Sequence, residues 1–131
     1  MNLGHLALVV VVSGLIASIT DYVFMGLLFK AKYQEAPEIW RTGSSERNKI
    51  IYSELIGLIT CAAFAALLAA TGPHSLAGGL KLALAVWVIA AIPILFTNSL
   101  WIRLSPWIAG SHSLGWLTRL AITAIAASYL P

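Results

Sequence analysis

The sequence predicts an all-α fold: a polytopic membrane protein whose four transmembrane helices form an up-down bundle. Three observations carry this expectation. Hydrophobic residues make up 60% of the 131 positions and charged residues only 10%, whereas a soluble domain carries about a quarter charged residues. The mean hydropathy is +0.88, so most of the apolar surface has to face lipid and not water. The apolar residues also fall into four runs, and at roughly 20 residues per crossing this length holds four spans joined by short connections. No separate catalytic, nucleotide-binding or nucleic-acid-binding domain fits, and residues 1–131 read as a single transmembrane domain.

The first run extends from about Leu3 to Phe29 and stops at Lys30. No Lys or Arg precedes it and no clear small-residue cleavage site follows, so it reads as a retained helix and not a signal peptide. Its length predicts a tilt, a kink near Gly14 or a projecting end. The second run, about Ile50 to Ala70, stops at the breaker Thr71-Gly72-Pro73. The third follows Gly78-Gly79, runs from about Leu80 to Ile102 and contains Pro93, which predicts a kink. The fourth covers about Ser113 to Leu130. Between the first two lies the longest loop, 31–49, in which Pro37-Glu38-Ile39-Trp40-Arg41 has the pattern of a short interfacial helix.

Loop charges set the expected orientation. Lys30, Lys32, Arg41, Arg47 and Lys49 lie between the first two runs and Arg103 follows the third, while the opposite side holds only Lys81. The positive-inside rule then puts both basic loops in the cytoplasm and both termini outside. Tyr33, Trp40, Tyr52, Trp101 and Trp107 fall near that boundary, as an aromatic belt requires. The net charge of +3 and pI near 9.3 therefore read as topology and contact with lipid headgroups, not as a nucleic-acid surface.

Hydropathy fails at four positions, one per helix: Asp21, Glu54, Asn98 and Arg119. Groups of this kind in an apolar helix are costly and turn inward. Counted from the cytoplasmic helix ends at 1.5 Å per residue, Asp21 and Arg119 lie at ~13 and ~12 Å, Glu54 and Asn98 at ~7 and ~6 Å. Equal depth and opposite sign predict an Asp21–Arg119 ion pair, with Glu54 and Asn98 near it and His112 close enough to join. Gly14 and Ser18 share a face with Asp21, and Gly115 and Thr123 with Arg119. Ser53, Gly57, Cys61, Ala65 and Ala69 recur every fourth residue, and small residues at this spacing mark close helix packing. That line exceeds what one bundle needs, so a second copy or a partner membrane protein is expected beside membrane lipid.

A weak internal repeat aligns Thr20-Asp21 with Thr97-Asn98 and Ser53-Glu54-Leu55 with Thr118-Arg119-Leu120, compatible with two tandem helical hairpins. Cys61 stands alone, and His5, His74 and His112 do not converge with it on a metal. No nucleophile–base set, glycine-rich phosphate loop or metal-ligand spacing is present, so no catalytic residue or cofactor is expected and the chain does not read as an enzyme.

The run Tyr22-Val23-Phe24-Met25-Gly26-Leu27-Leu28-Phe29-Lys30, followed by Pro37-Glu38-Ile39-Trp40-Arg41, resembles a family of small four-helix bacterial membrane proteins of unknown function. Thr97-Asn98 and His112 at the start of the last helix are similar as well. The resemblance implies a bacterial inner membrane and brings no activity. Three function classes then fit, in this order: a structural or accessory component of a membrane assembly; an oligomeric small transporter or channel for protons, ions or a small solute; and a lipophile-binding protein or membrane-embedded enzyme.

Overall fold

The computed structural model describes residues 2–39, 43, 45–72 and 75–131. Trp40, Arg41, Pro73 and His74, which figure in the belt, the interfacial helix, the breaker and the outer histidines, lie outside the described residues. The described residues form five helices and no strand: α1 (Leu3–Leu28), α2 (Lys30–Gln34), α3 (Glu46–Thr71), α4 (Leu76–Trp101) and α5 (Pro106–Tyr129). The expected four are thus exceeded by the short α2, which follows α1 after a break at Phe29 and touches α5. Only a single 3₁₀ turn, Pro37–Ile39, is formed where an interfacial helix is expected. Three helices, α1, α3 and α4, are long and apolar enough to cross a membrane.

Capping chemistry extends the helices beyond their apolar runs. The Asn2 side chain accepts from the His5 N–H at 2.8 Å and opens α1. α3 starts at Glu46 and closes on Gly72, whose left-handed backbone (φ 57°) ends the helix without a Cβ penalty. Ser75 caps α4 by accepting from the Gly78 N–H at 3.1 Å. Gly78-Gly79, expected as a boundary, therefore lies inside α4. A Cβ on Gly79 would sit 3.4 Å from that of Ala124, so this glycine brings α4 close against α5. Pro106 occupies the first turn of α5, where no N–H is needed.

Two π-helical stretches interrupt the long helices. One, Tyr22–Leu28, follows Asp21 directly, so the irregularity of α1 falls there and not at Gly14. The other, Trp87–Ala91, precedes Pro93, and the Ile92 N–H reaches back five residues to the Trp87 carbonyl. Pro93 has no N–H to return to Ile89, and the widened turn absorbs that loss.

α5 is the hub of the structure, touching α1, α2, α3 and α4, and it buries more residues than any other helix. Phe64, Leu68, Ala83, Leu120 and Ala124 form one apolar cluster among α3, α4 and α5. Val9, Ala65 and Ala126 form another where α1, α3 and α5 meet. Most of these side chains are small, so the contacts are backbone-close and rest on dispersion more than on side-chain bulk. Ser13 and Thr123 return their hydroxyls to carbonyls of their own helices at 2.6 and 2.9 Å, which satisfies them on packed faces.

Candidate functional site: a clasped ion pair

Asp21 is the last regular residue of α1 before its π stretch, and Arg119 lies in the middle of α5. The Arg119 Nη2 donates to Asp21 Oδ2, with the two side chains only 10% and 19% exposed respectively. Glycines on two helices open the space for them. A Cβ at Gly57 of α3 would lie 2.6 Å from Arg119 Cζ and 2.8 Å from Nη2. A Cβ at Gly115 of α5 would lie 2.7 Å from Asp21 Oδ1. Both distances are too short for real contacts, so each glycine is the absence of a side chain that the pair requires. Gly14 does the same for the Leu58 side chain between α1 and α3.

Glu54 lies three residues before Gly57, on the same face of α3, and accepts from the Ser18 hydroxyl, one turn before Asp21. Its contact is thus with Ser18, and no bond joins it to the pair itself among the described residues. Asn98 is not brought in: it is exposed on α4, away from the charged set. The internal repeat had placed Asn98 opposite Asp21, but the two occupy different environments. An uncharged amide is cheap enough to hydrate at a helix end that nothing forces it inward.

His112 meets a residue assigned to the aromatic belt. Tyr33 of α2 is buried, with its hydroxyl 2.7 Å from Ser111 Oγ and 3.1 Å from His112 Nε2. The two rings stand edge to face with centroids 6.0 Å apart. Burial holds the Tyr33 phenol above its ordinary pKa, with the Ser111 bond opposing and the negative charge of Asp21 reinforcing the rise. The charge on Asp21 thus couples the ion pair to the Tyr33–Ser111–His112 group. No local pattern marks Tyr33 for this role, because its partners are 78 and 79 residues away. Tyr52, Trp101 and Trp107, the described remainder of the belt, are exposed.

On the other side of α5, the Trp87 indole donates to the Ser113 carbonyl at 2.8 Å and its Oγ at 3.1 Å. Both π stretches therefore begin beside a polar anchor to α5: Asp21–Arg119 for α1 and Trp87–Ser113 for α4. Cys61 is buried in α3. His5 lies at the far end, against a small cavity of about 230 Å³ shared with Ser128. No three His, Cys, Asp or Glu side chains converge among the described residues. The site is suited to holding charge in fixed register.

A partly open cavity of about 500 Å³ adjoins the Tyr33–His112 contact; Tyr33, Ile108 and His112 line it together with Glu38, Ile39, Ile102, Arg103 and Leu104. It joins the segment after α2 to the loop between α4 and α5, so these two connections share one end of the molecule.

The chain was compared with known proteins. No curated protein and no solved structure matches it. One family model, described as "Protein of unknown function (DUF1761)", matches residues 8–128, from the first helix to the last and across every residue of the ion-pair site. The chain belongs to the DUF1761 family of proteins of unknown function.

Proposed function

We propose that this protein is a four-span membrane protein serving as a structural or accessory component of a membrane assembly, with α5 as its fourth crossing. The observation that carries the reading is the Asp21–Arg119 pair set between Gly57 and Gly115. Opposite charges that neutralise each other in a slot made by missing side chains hold three helices in one register and leave no room for a solvated path. The basic residues Lys30, Lys32, Lys49 and Arg103 flank the helix ends near the cavity, which supports a cytoplasmic position for that end and outer termini. The bacterial inner membrane is part of this proposal.

The partner we propose is a second copy or another membrane protein. The small-residue line on α3 supports this only in part: Gly57, Cys61 and Ala65 are buried within the chain, and Ser53 and Ala69 alone remain exposed. The competing reading, an oligomeric proton or ion transporter, draws on Glu54, the carboxylate that the Arg119 pair does not neutralise. Proteoliposomes separate the two. An accessory protein leaves an imposed pH gradient no leakier than empty vesicles and cross-links in native membranes to itself or to one partner. Gradient dissipation by the parent that Glu54→Gln abolishes would replace the accessory role with transport.

A further inference from the structure

We propose that the 500 Å³ cavity binds the headgroup of a phospholipid carrying a primary amine, of the phosphatidylethanolamine type. The inference rests on the membrane reading above and is independent of what the ion pair does.

The cavity has a closed floor and a charged rim. Ile108 and Tyr33 are buried at the floor, where Tyr33 is already hydrogen-bonded to Ser111 and His112. Glu38 and Arg103 are exposed and line the same space from opposite connections. Neither forms an ion pair among the described residues, although they have opposite sign. A ligand that satisfies both carries an anion and a cation in one headgroup. A phosphodiester linked to an ammonium has that form: its phosphate oxygens accept from the Arg103 guanidinium and its three N–H groups donate to the Glu38 carboxylate. A quaternary amine keeps its charge but has no N–H to donate, and a glycerol headgroup has no cation, so neither makes the charge-assisted hydrogen bond to Glu38.

Apart from His112, whose ring is engaged by the Tyr33 hydroxyl, the remaining lining is apolar: Ile39, Ile102 and Leu104. It continues onto the exposed end of α4, where Leu100, Trp101 and Ile102 are 82%, 84% and 60% exposed. That flank receives the acyl chains, which continue into the hydrocarbon beside the helix. A volume of about 500 Å³ lies within the ~300–1,000 Å³ of small-ligand sites, ample for a headgroup with its glycerol.

The test is native mass spectrometry of the full chain in detergent micelles, titrated separately with phosphatidylethanolamine, phosphatidylglycerol and phosphatidylcholine of identical acyl chains. Phosphatidylethanolamine should be retained about fivefold or more over the other two, a difference of about 1 kcal/mol. Glu38→Gln should lower its retention to the phosphatidylglycerol level and leave phosphatidylglycerol unchanged, whereas Arg103→Gln should weaken all three. Glycerophosphoethanolamine, which has the head without the chains, should fail to displace the lipid at a hundredfold excess. Displacement at comparable concentration would make the ligand a soluble phosphodiester and overturn the lipid assignment. Equal retention of the three lipids, or a Glu38→Gln protein that keeps its preference, would overturn the site itself. Both variants alter exposed side chains, so folding is preserved. The result stands whichever way the termini face.

Discussion

Removing both members of the Asp21–Arg119 pair should cost no more than removing one of them. Arg119→Leu leaves a carboxylate that is 19% exposed beside Gly115, facing apolar neighbours. A mostly buried charge stripped of its partner costs roughly 3–5 kcal/mol. Asp21→Asn retains an oxygen acceptor for Arg119 but removes the charge, which sets its loss at about 3 kcal/mol. The double variant has no unpaired charge, only an amide to rehydrate, and should lose about 3 kcal/mol, not the sum of about 7. Gly57→Ala probes the same geometry from the third helix. Its methyl would occupy the guanidinium position, 2.6 Å from Cζ, so it should cost about 3 kcal/mol in the parent and under about 1 kcal/mol once Arg119 is Leu. Reversible unfolding of the purified chain in mixed micelles, titrated with dodecyl sulfate and followed by far-ultraviolet circular dichroism, measures all of these. If the double loss equals the sum of the single losses within about 0.5 kcal/mol, the pair does not hold the helices together and the proposed role fails with it.

Two further outcomes follow from the same structure. Tyr33→Phe deletes the hydroxyl that meets Ser111 and His112 and should cost about 1–2 kcal/mol at neutral pH. Because burial raises the phenol above its ordinary value of 10.0, the unfolded chain ionises first; stability is intact below pH 10 and falls as pH rises past it, and Tyr33→Phe should flatten that alkaline loss. For orientation, a Cys at Ala70 should react with an impermeant maleimide added outside intact cells and one at Ser45 should not; both sites are exposed, and the native Cys61 is buried. The reverse labelling would exchange the leaflets and move the proposed lipid site to the outer face.

The ion pair was legible in the sequence because the physics leaves few alternatives: a cation deep in an apolar helix needs an anion, and Arg119 sits well inside its apolar run whereas Lys81 stands at the edge of its own. Glu54 was legible as a buried acid but its contact was not, since Ser18 scores as a small packing residue and its hydroxyl has no periodic signature. Tyr33 was misread for a related reason. An aromatic residue just beyond an apolar run fits a headgroup belt by position, and only α2, which turns the chain back toward α5, converts it into a buried hydrogen-bonding group. The helix ends were displaced because hydropathy detects the lipid-exposed length and not the helical length. The Ser105-Pro106 pair that opens α5 is a sequence signal in its own right.

The one long helix without a stretch apolar enough to pass as a span is also the one most enclosed, and the two facts have one cause. In water a polar helix migrates to the surface, whereas in lipid its polar groups are satisfied only by other helices, so it moves inward. α5 carries Ser111, His112, Ser113, Arg119 and Thr123 on faces covered by α1, α2, α3 and α4. Those side chains lower its hydropathy enough that α1, α3 and α4 alone pass as spans by composition. On the proposed four-span reading, α5 crosses in the company of these three, with Asp21 matching its charge and Gly57 making room for it. On this logic Arg119→Leu, by making α5 more apolar, should ease its insertion while weakening its packing. Insertion efficiency of α5 and stability of the folded chain should therefore move in opposite directions for this one substitution.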